Sequence, residues 1–179
     1  MKALSMTRDL PFSADAFWTS FLDSAFVLRV FPAIGFAKYD ILEVRDERER
    51  LVRRSDALPP LEAPPVVRKV LGPSFGYVEE GEFDRATKTW TWKATPSVLA
   101  DRSRFEGTLR VEALGADRCR TNFEATIEVR MLGVGGLVEI AGERSMRTSW
   151  TKFGDCCEAW IQSYAATADL RAAVDKLGK

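Results

Sequence analysis

Met146-Arg-Thr-Ser-Trp150-Thr-Lys-Phe153-Gly-Asp-Cys-Cys157-Glu-Ala-Trp160-Ile-Gln-Ser-Tyr164 decides the fold. Met146, Trp150, Phe153, Cys157, Trp160 and Tyr164 recur at spacings of four and three, so they share one face of a 3.6-residue helix. The spacing predicts a single helix from Gly135 to Leu177. From Leu137 to Asp175 it spans roughly 55 to 60 Å at about 1.5 Å per residue, with Gly142 or Gly154 as places for a bend. An apolar seam of that length must lie on an apolar surface. The helix is expected to be the lid of a curved sheet, a layout suited to binding or processing an apolar molecule.

The strands lie upstream of that lid, where the period is two. Phe105, Gly107, Leu109, Val111 and Ala113 alternate with Arg104, Glu106, Thr108, Arg110 and Glu112. Phe123, Ala125, Ile127, Val129 and Met131 alternate in the same way with Asn122, Glu124, Thr126, Glu128 and Arg130. Strands over Ser103–Ala113 and Cys119–Met131, joined at Gly115-Ala-Asp-Arg118, therefore have one wet face and one covered face. Two earlier hairpins pair Tyr39–Arg45 with Leu51–Leu58 and Phe75–Phe83 with Thr89–Thr95. Lys2 to Arg8 supplies a first strand, ended by Asp9-Leu-Pro11.

Between that first strand and the first hairpin, Ser13 caps a helix whose stripe is Phe17, Trp18, Phe21, Leu22 and Ala25. A second short helix follows Asp23-Ser24 and carries Phe26, Val27, Val30 and Phe31 until Pro32 and Gly35 break it. The order of elements is a strand, two helices, an antiparallel meander and a long helix. It gives an α+β fold: a curved antiparallel sheet of about seven strands wrapped on a long C-terminal helix, in one domain over 1–179.

Composition narrows the function. The chain has 179 residues, 46% of them hydrophobic, which suits one domain with a sizeable core. Lys+Arg 26 against Asp+Glu 26 leaves no net charge to attract nucleic acid. With His 0, catalysis by Ser-His-Asp or Cys-His and most zinc sites lose their usual base or ligand. Gly133, Gly135 and Gly136 lack the spacing of a nucleotide loop. Neither a metal nor another cofactor is expected. Three cysteines, no leader pattern and no apolar run long enough to span a bilayer lead to the expectation of a cytoplasmic protein with reduced thiols.

The connections differ between the two ends of the sheet. The three hairpin turns are charged or polar and fall at one end. The other end receives Pro59–Pro73, with a short helix at Pro65–Leu71, together with Pro96–Arg102 and Leu132–Leu137. These are apolar for loops, through Leu61, Val66, Val67, Val70, Leu71, Val98, Leu99, Leu132, Val134 and Leu137. They form either a ligand mouth, a patch for transient contact with a membrane or partner, or a cover over the end of the core.

The run Leu10-Pro-Phe-Ser-Ala-Asp-Ala-Phe-Trp18, then Phe21-Leu-Asp-Ser24, Leu58-Pro-Pro-Leu and Val66-Val-Arg-Lys-Val-Leu-Gly72, ahead of the long last helix, resembles the START-like or SRPBCC superfamily. This helix-grip fold is shared with Bet v type pollen allergens and polyketide cyclases, and the chain looks most like a bacterial branch. Lys88-Thr-Trp-Thr-Trp-Lys-Ala-Thr95 and Arg120-Thr-Asn-Phe-Glu-Ala125 bear a more distant likeness to PRELI-type phospholipid carriers. The resemblance implies a cavity between the concave sheet face and the last helix, which different members use for lipids, sterols, polyketides or hormones. It carries over no catalytic residue.

If the apolar faces line such a cavity, the sheet contributes Phe75, Tyr77, Trp90, Trp92, Phe105, Leu109, Phe123 and Ile127. The lid contributes Trp150, Phe153 and Cys157, and the first helix Trp18 and Phe21. The alternative is a closed core of the same residues. Glu79 shares strand parity with Phe75 and Tyr77: turned inward, its carboxyl has a raised pKa and serves as a general acid or a ligand anchor. Otherwise it pairs with an arginine such as Arg53, or a bulge turns it outward. Tyr39 is a second phenol that could orient a ligand. Glu143, Arg144 and Arg147 either ring the mouth or form a solvated helix face, and Arg45 to Arg54 reads as a solvated hairpin tip. The leading expectation is binding or transport of a hydrophobic small molecule or lipid. The alternatives are a cyclase- or hydratase-type enzyme and a partner-binding module without a cavity ligand. Two or more polar groups converging inside the cavity would favour chemistry.

Overall fold

The computed structural model describes the backbone of residues 1–177 and the side chains of residues 1–163, so Tyr164 of the seam lies outside the described side chains. The strands are β1 Lys2–Leu10, β2 Lys38–Asp46, β3 Arg50–Leu58, β4 Tyr77–Asp84, β5 Thr89–Pro96, β6 Ser103–Ala113 and β7 Cys119–Val129. The helices are α1 Ala14–Leu22, α2 Ser24–Ala33, α3 Pro65–Leu71 and α4 Gly135–Leu177. The strands form one antiparallel sheet in the order β1-β7-β6-β5-β4-β3-β2, curved around α4. The fold is the α+β helix grip.

Each helix start has a local cause. Ser13 Oγ accepts from Ala16 N at 3.1 Å and starts α1. Asp23 is extended at ψ 122, so it ends α1, and its carboxylate accepts from Ala25 N at 3.0 Å to start α2. Proline at 32 does not end α2 as the sequence predicts, and the helix includes it and runs to Ala33. In the last turn a proline forfeits one backbone bond, and Ile34 N still donates to Val30 O at 3.0 Å. β4 begins at Tyr77 rather than Phe75, and β7 ends at Val129 rather than Met131.

Two glycines let tryptophans cross neighbouring strands. Gly81 pairs with Trp92 and Gly107 lies opposite it on the other side. A Cβ on Gly81 would fall within the Trp90 ring, and one on Gly107 would clash with Glu124 O and meet Trp92 Cζ2 at 2.8 Å. Trp90 thus lies over β4 and Trp92 over β6. Gly81→Ala is expected to cost about 1–3 kcal/mol by overpacking, read as a lower urea midpoint.

The lid is held polar-side to the sheet edge. Arg8 on β1 donates to Thr151 O at 2.8 Å and to the carboxylates of Asp155 at 2.7 Å and Glu158 at 2.5 Å. Gly154 leaves room for that guanidinium, because a Cβ there would meet Arg8 Nη1 at 2.5 Å. At the other end Ser145 Oγ donates to Pro60 O at 2.6 Å, tying α4 to the loop before α3. No described helix is long and apolar enough to cross a membrane.

Candidate functional site

The inner sheet face and α4 do not close completely on each other. They leave an apolar cavity of about 170 Å³. Four rings form one of its walls as a column running from sheet to lid. Trp92 stacks on Phe123 at 5.9 Å, Phe123 on Trp150 at 4.6 Å, and Trp150 on Phe153 at 5.4 Å. The column exists because Trp92 reaches over β6 at Gly107 to find Phe123 on β7. Offset stacking of this kind adds to the area buried. It fixes the rings by their faces and leaves the indole N–H groups of Trp92 and Trp150 buried without an acceptor among the described residues.

Phe75, Tyr77, Glu79, Trp90, Phe105 and Leu109 join that column on the sheet side, and Phe21 joins it from α1. Pro59, Leu61 and Pro96 carry the lining toward the apolar-loop end, and Gly142, Ser145, Met146 and Ser149 complete the lid side. Trp18, Ile127 and Cys157, expected on the same faces, lie off the cavity in closed core. Trp18 packs on Phe83 at 4.5 Å and on Phe17 at 5.4 Å. Ile127 fills the space under Gly142, and Cys157 is 1% exposed. Burial pushes the Cys119 thiol up to about 11 and the Cys157 thiol higher still, the reverse of what a nucleophile needs.

Glu79 faces inward. Its neighbours across the sheet are Ser55 on β3 and Ala94 on β5, and no bulge interrupts β4. The carboxyl makes no hydrogen bond or ion pair among the described residues, so Arg53 does not satisfy it. Burial raises its pKa, opposed by the Arg53 charge. Tyr77, two residues back on the same face, has its phenol pushed well up by burial first and then by Glu79.

Arg53 corrects the reading of residues 45–54 as a solvated tip. It is 2% exposed, because Leu51, Arg53, Ser55 and Ala57 are the inward residues of β3. Its guanidinium lies over the rings of Trp90 at 4.8 Å and Phe21 at 5.1 Å, and Nη1 donates to Phe21 O at 2.9 Å. That carbonyl ends α1, where a cation is favoured. Ser55 Oγ donates to Tyr39 Oη at 3.0 Å behind Glu79. Sequence alternation in β3 carried the signal for Arg53, masked by the charges around it.

Glu79 is expected to lower stability as pH rises. A carboxyl with a raised native pKa binds more protons folded than unfolded, so the penalty is absent below the ordinary value of 4.5 and grows from there to the raised native value. Glu79→Gln should therefore leave the urea midpoint nearly unchanged at pH 4 and raise it at pH 8. A midpoint unchanged at both would show that the carboxyl is not buried.

The proposed mouth residues are paired on the surface. Arg147 donates to Glu143 at 3.0 Å, and Arg144 lies 3.8 Å from Glu62. The first two apolar connections meet in a second cluster around Val67, Leu71, Val129, Val138 and Ala141, against which Leu61, Val70, Val98, Leu99 and Met131 pack, whereas Leu132, Val134 and Leu137 of the third take no part in it. These two cover that end of the core, while Val66, Leu132 and Leu137 remain exposed, Leu132 at 99%. The outer sheet face carries a wider groove of about 870 Å³, lined by charges of both signs such as Arg45, Arg50, Glu80 and Lys93. It is open to solvent, so the inner cavity is the better candidate. Among the described residues no three His, Cys, Asp or Glu stand together as metal ligands would.

Solved structures of the same fold include the Zhui aromatase/cyclase from Streptomyces sp. R1128, at TM-score 0.64 and 16% identity, covering 89% of this chain and 95% of that one. Norcoclaurine synthase from Thalictrum flavum matches at TM-score 0.61 and 16% identity, over 90% of this chain and 86% of that one. A START superfamily protein from Mycobacterium smegmatis matches at TM-score 0.57 and 14% identity, over 90% and 98%. At these identities the likeness is one of fold, and it supports the START-like resemblance of the sequence. No curated protein matches the chain. A family described as "Protein of unknown function (DUF2505)" matches residues 5–161. The chain belongs to the DUF2505 family and has a START-like fold.

Proposed function

We propose that the protein binds a hydrophobic small molecule in the cavity between the concave sheet face and α4. The observation that carries this reading is the aromatic-walled space itself, left open where the same rings could have packed against each other. Native cores contain few voids larger than a water, and each costs stability. A void built from a four-ring column and floored by a small residue, Ala94, fits a site better than a packing fault.

Ala94 provides the test. It is 7% exposed and sits between Glu79 and Phe105 on the inner face. Ala94→Leu would fill the space from its floor. The wild type should bind small apolar ligands with a change in tryptophan fluorescence, since Trp90, Trp92 and Trp150 line the site. The variant should keep its melting temperature and lose that binding. Equal binding by both would refute the cavity as the site.

A second reading, an enzyme of cyclase or hydratase type, is favoured by one observation: Tyr77 and Glu79 place two titratable groups on the same cavity wall. It requires that bound ligand be released chemically changed, and that Glu79→Gln abolish the conversion while sparing binding. Mass spectrometry of the ligand after incubation decides it. Unchanged ligand would leave the protein as a binder or carrier.

A further inference from the structure

We infer that the ligand is an apolar molecule the size of a single ring that carries a hydroxyl group, received by the Glu79 carboxyl and the Tyr77 phenol. This rests on the cavity-binding reading above and narrows it. Size comes first. A cavity of about 170 Å³ is close to an engineered apolar void of about 150 Å³ that takes benzene or xenon, and lies below the roughly 300–1,000 Å³ of pockets for drug-sized ligands. A sterol or a full acyl tail exceeds it. Shape comes second, because Trp92, Phe123, Trp150 and Phe153 offer flat faces on which another ring packs.

Polarity decides the functional group. Glu79 and Tyr77 lie on one wall, and neither makes a hydrogen bond among the described residues. A hydrocarbon filling the cavity would bury both groups unpaired, at the desolvation cost of each. An anionic ligand would have to shed its water in an apolar cavity, and the Arg53 guanidinium, whose charge acts on Glu79, is held by Phe21 O and two ring faces with its buried Nε left without a partner among the described residues. A cation would need the carboxylate form, which burial disfavours. A hydroxyl both donates and accepts, so it pairs with Glu79 in either protonation state and still accepts from Tyr77.

The test compares 4-methylphenol with its near-isostere 1,4-dimethylbenzene by calorimetric titration of the full chain, with dodecanoic acid as a long-chain competitor. The wild type should bind 4-methylphenol about tenfold more tightly than the dimethylbenzene, the effect of one well-made buried hydrogen bond. In Glu79→Met the preference should fall to near unity while the dimethylbenzene affinity is retained, which shows that the cavity is intact. Tyr77→Phe should reduce the preference, and Glu79→Gln, which keeps a hydrogen-bonding group, should retain part of it should the methionine variant fail to fold. Equal affinities for the two rings in the wild type would overturn the hydroxyl assignment and leave cavity binding standing. Tighter binding of dodecanoic acid would overturn the size assignment. Binding of none of the three would overturn the cavity reading itself.

Discussion

Trp90→Ala is expected to lower the unfolding free energy by about 3–5 kcal/mol, the cost of deleting a fully buried aromatic. The ring is 2% exposed and closely packed, although it also borders the cavity. Phe21 meets it edge-on at 5.3 Å, the Arg53 guanidinium covers it at 4.8 Å, and Gly81 leaves it the space to cross β4. Alanine there removes packing and also uncovers one face of a buried cation, so the cost falls in the upper half of that range. Against a typical total of about 5–15 kcal/mol, the variant would be marginally stable. Urea denaturation followed by far-ultraviolet circular dichroism measures it. A midpoint within experimental error of the wild type would contradict the placement of Trp90 across β4.

Trp150→Ala should cost about 3 kcal/mol and change what the protein binds. The side chain is half-buried, so the loss lies at the low end for an aromatic. It nevertheless breaks the ring column at its centre, taking partners from Phe123 and Phe153 together. For a chain of this length the melting temperature should fall by about 6–12 °C. The space vacated by the indole adjoins the cavity, so ligands too large for the wild type should gain affinity while small rings lose it. An unchanged melting temperature would place Trp150 off the seam.

Periodicity made most of the fold legible. The 3.6-residue spacing of Met146, Trp150, Phe153 and Cys157 identifies the face of α4 that meets the sheet. The alternation in β6 and β7 identifies the covered face, from Phe105 to Val129. Periodicity assigns a residue to a face, but not to a height along the lid. Trp18, Ile127 and Cys157 share faces with the lining residues and still fall in closed core, because the open space occupies only the part of the seam nearest Ala94 and Glu79. Where the void begins depends on which rings cross which strands, and that follows from register. Gly81 and Gly107 look like weak points in their strands until Trp90 and Trp92 are placed over them. Arg53 was hidden for a different reason. Its run reads as solvated by composition, which masks the alternation of Leu51, Arg53, Ser55 and Ala57 that puts it on the inward face of β3. Glu79 was legible from parity alone, since it alternates with Tyr77, Gly81 and Phe83.

The most direct measurement is a heteronuclear NMR titration of the wild-type chain with toluene, an apolar ring that fits about 170 Å³ and asks nothing of the polar groups. Saturable shifts confined to Ala94, Phe105, Phe123, Ser149 and Trp150, absent in Ala94→Leu, are expected if the cavity is the binding site. Shifts confined to Leu132, Leu137 and their exposed neighbours, or no saturable shifts at all, would contradict it.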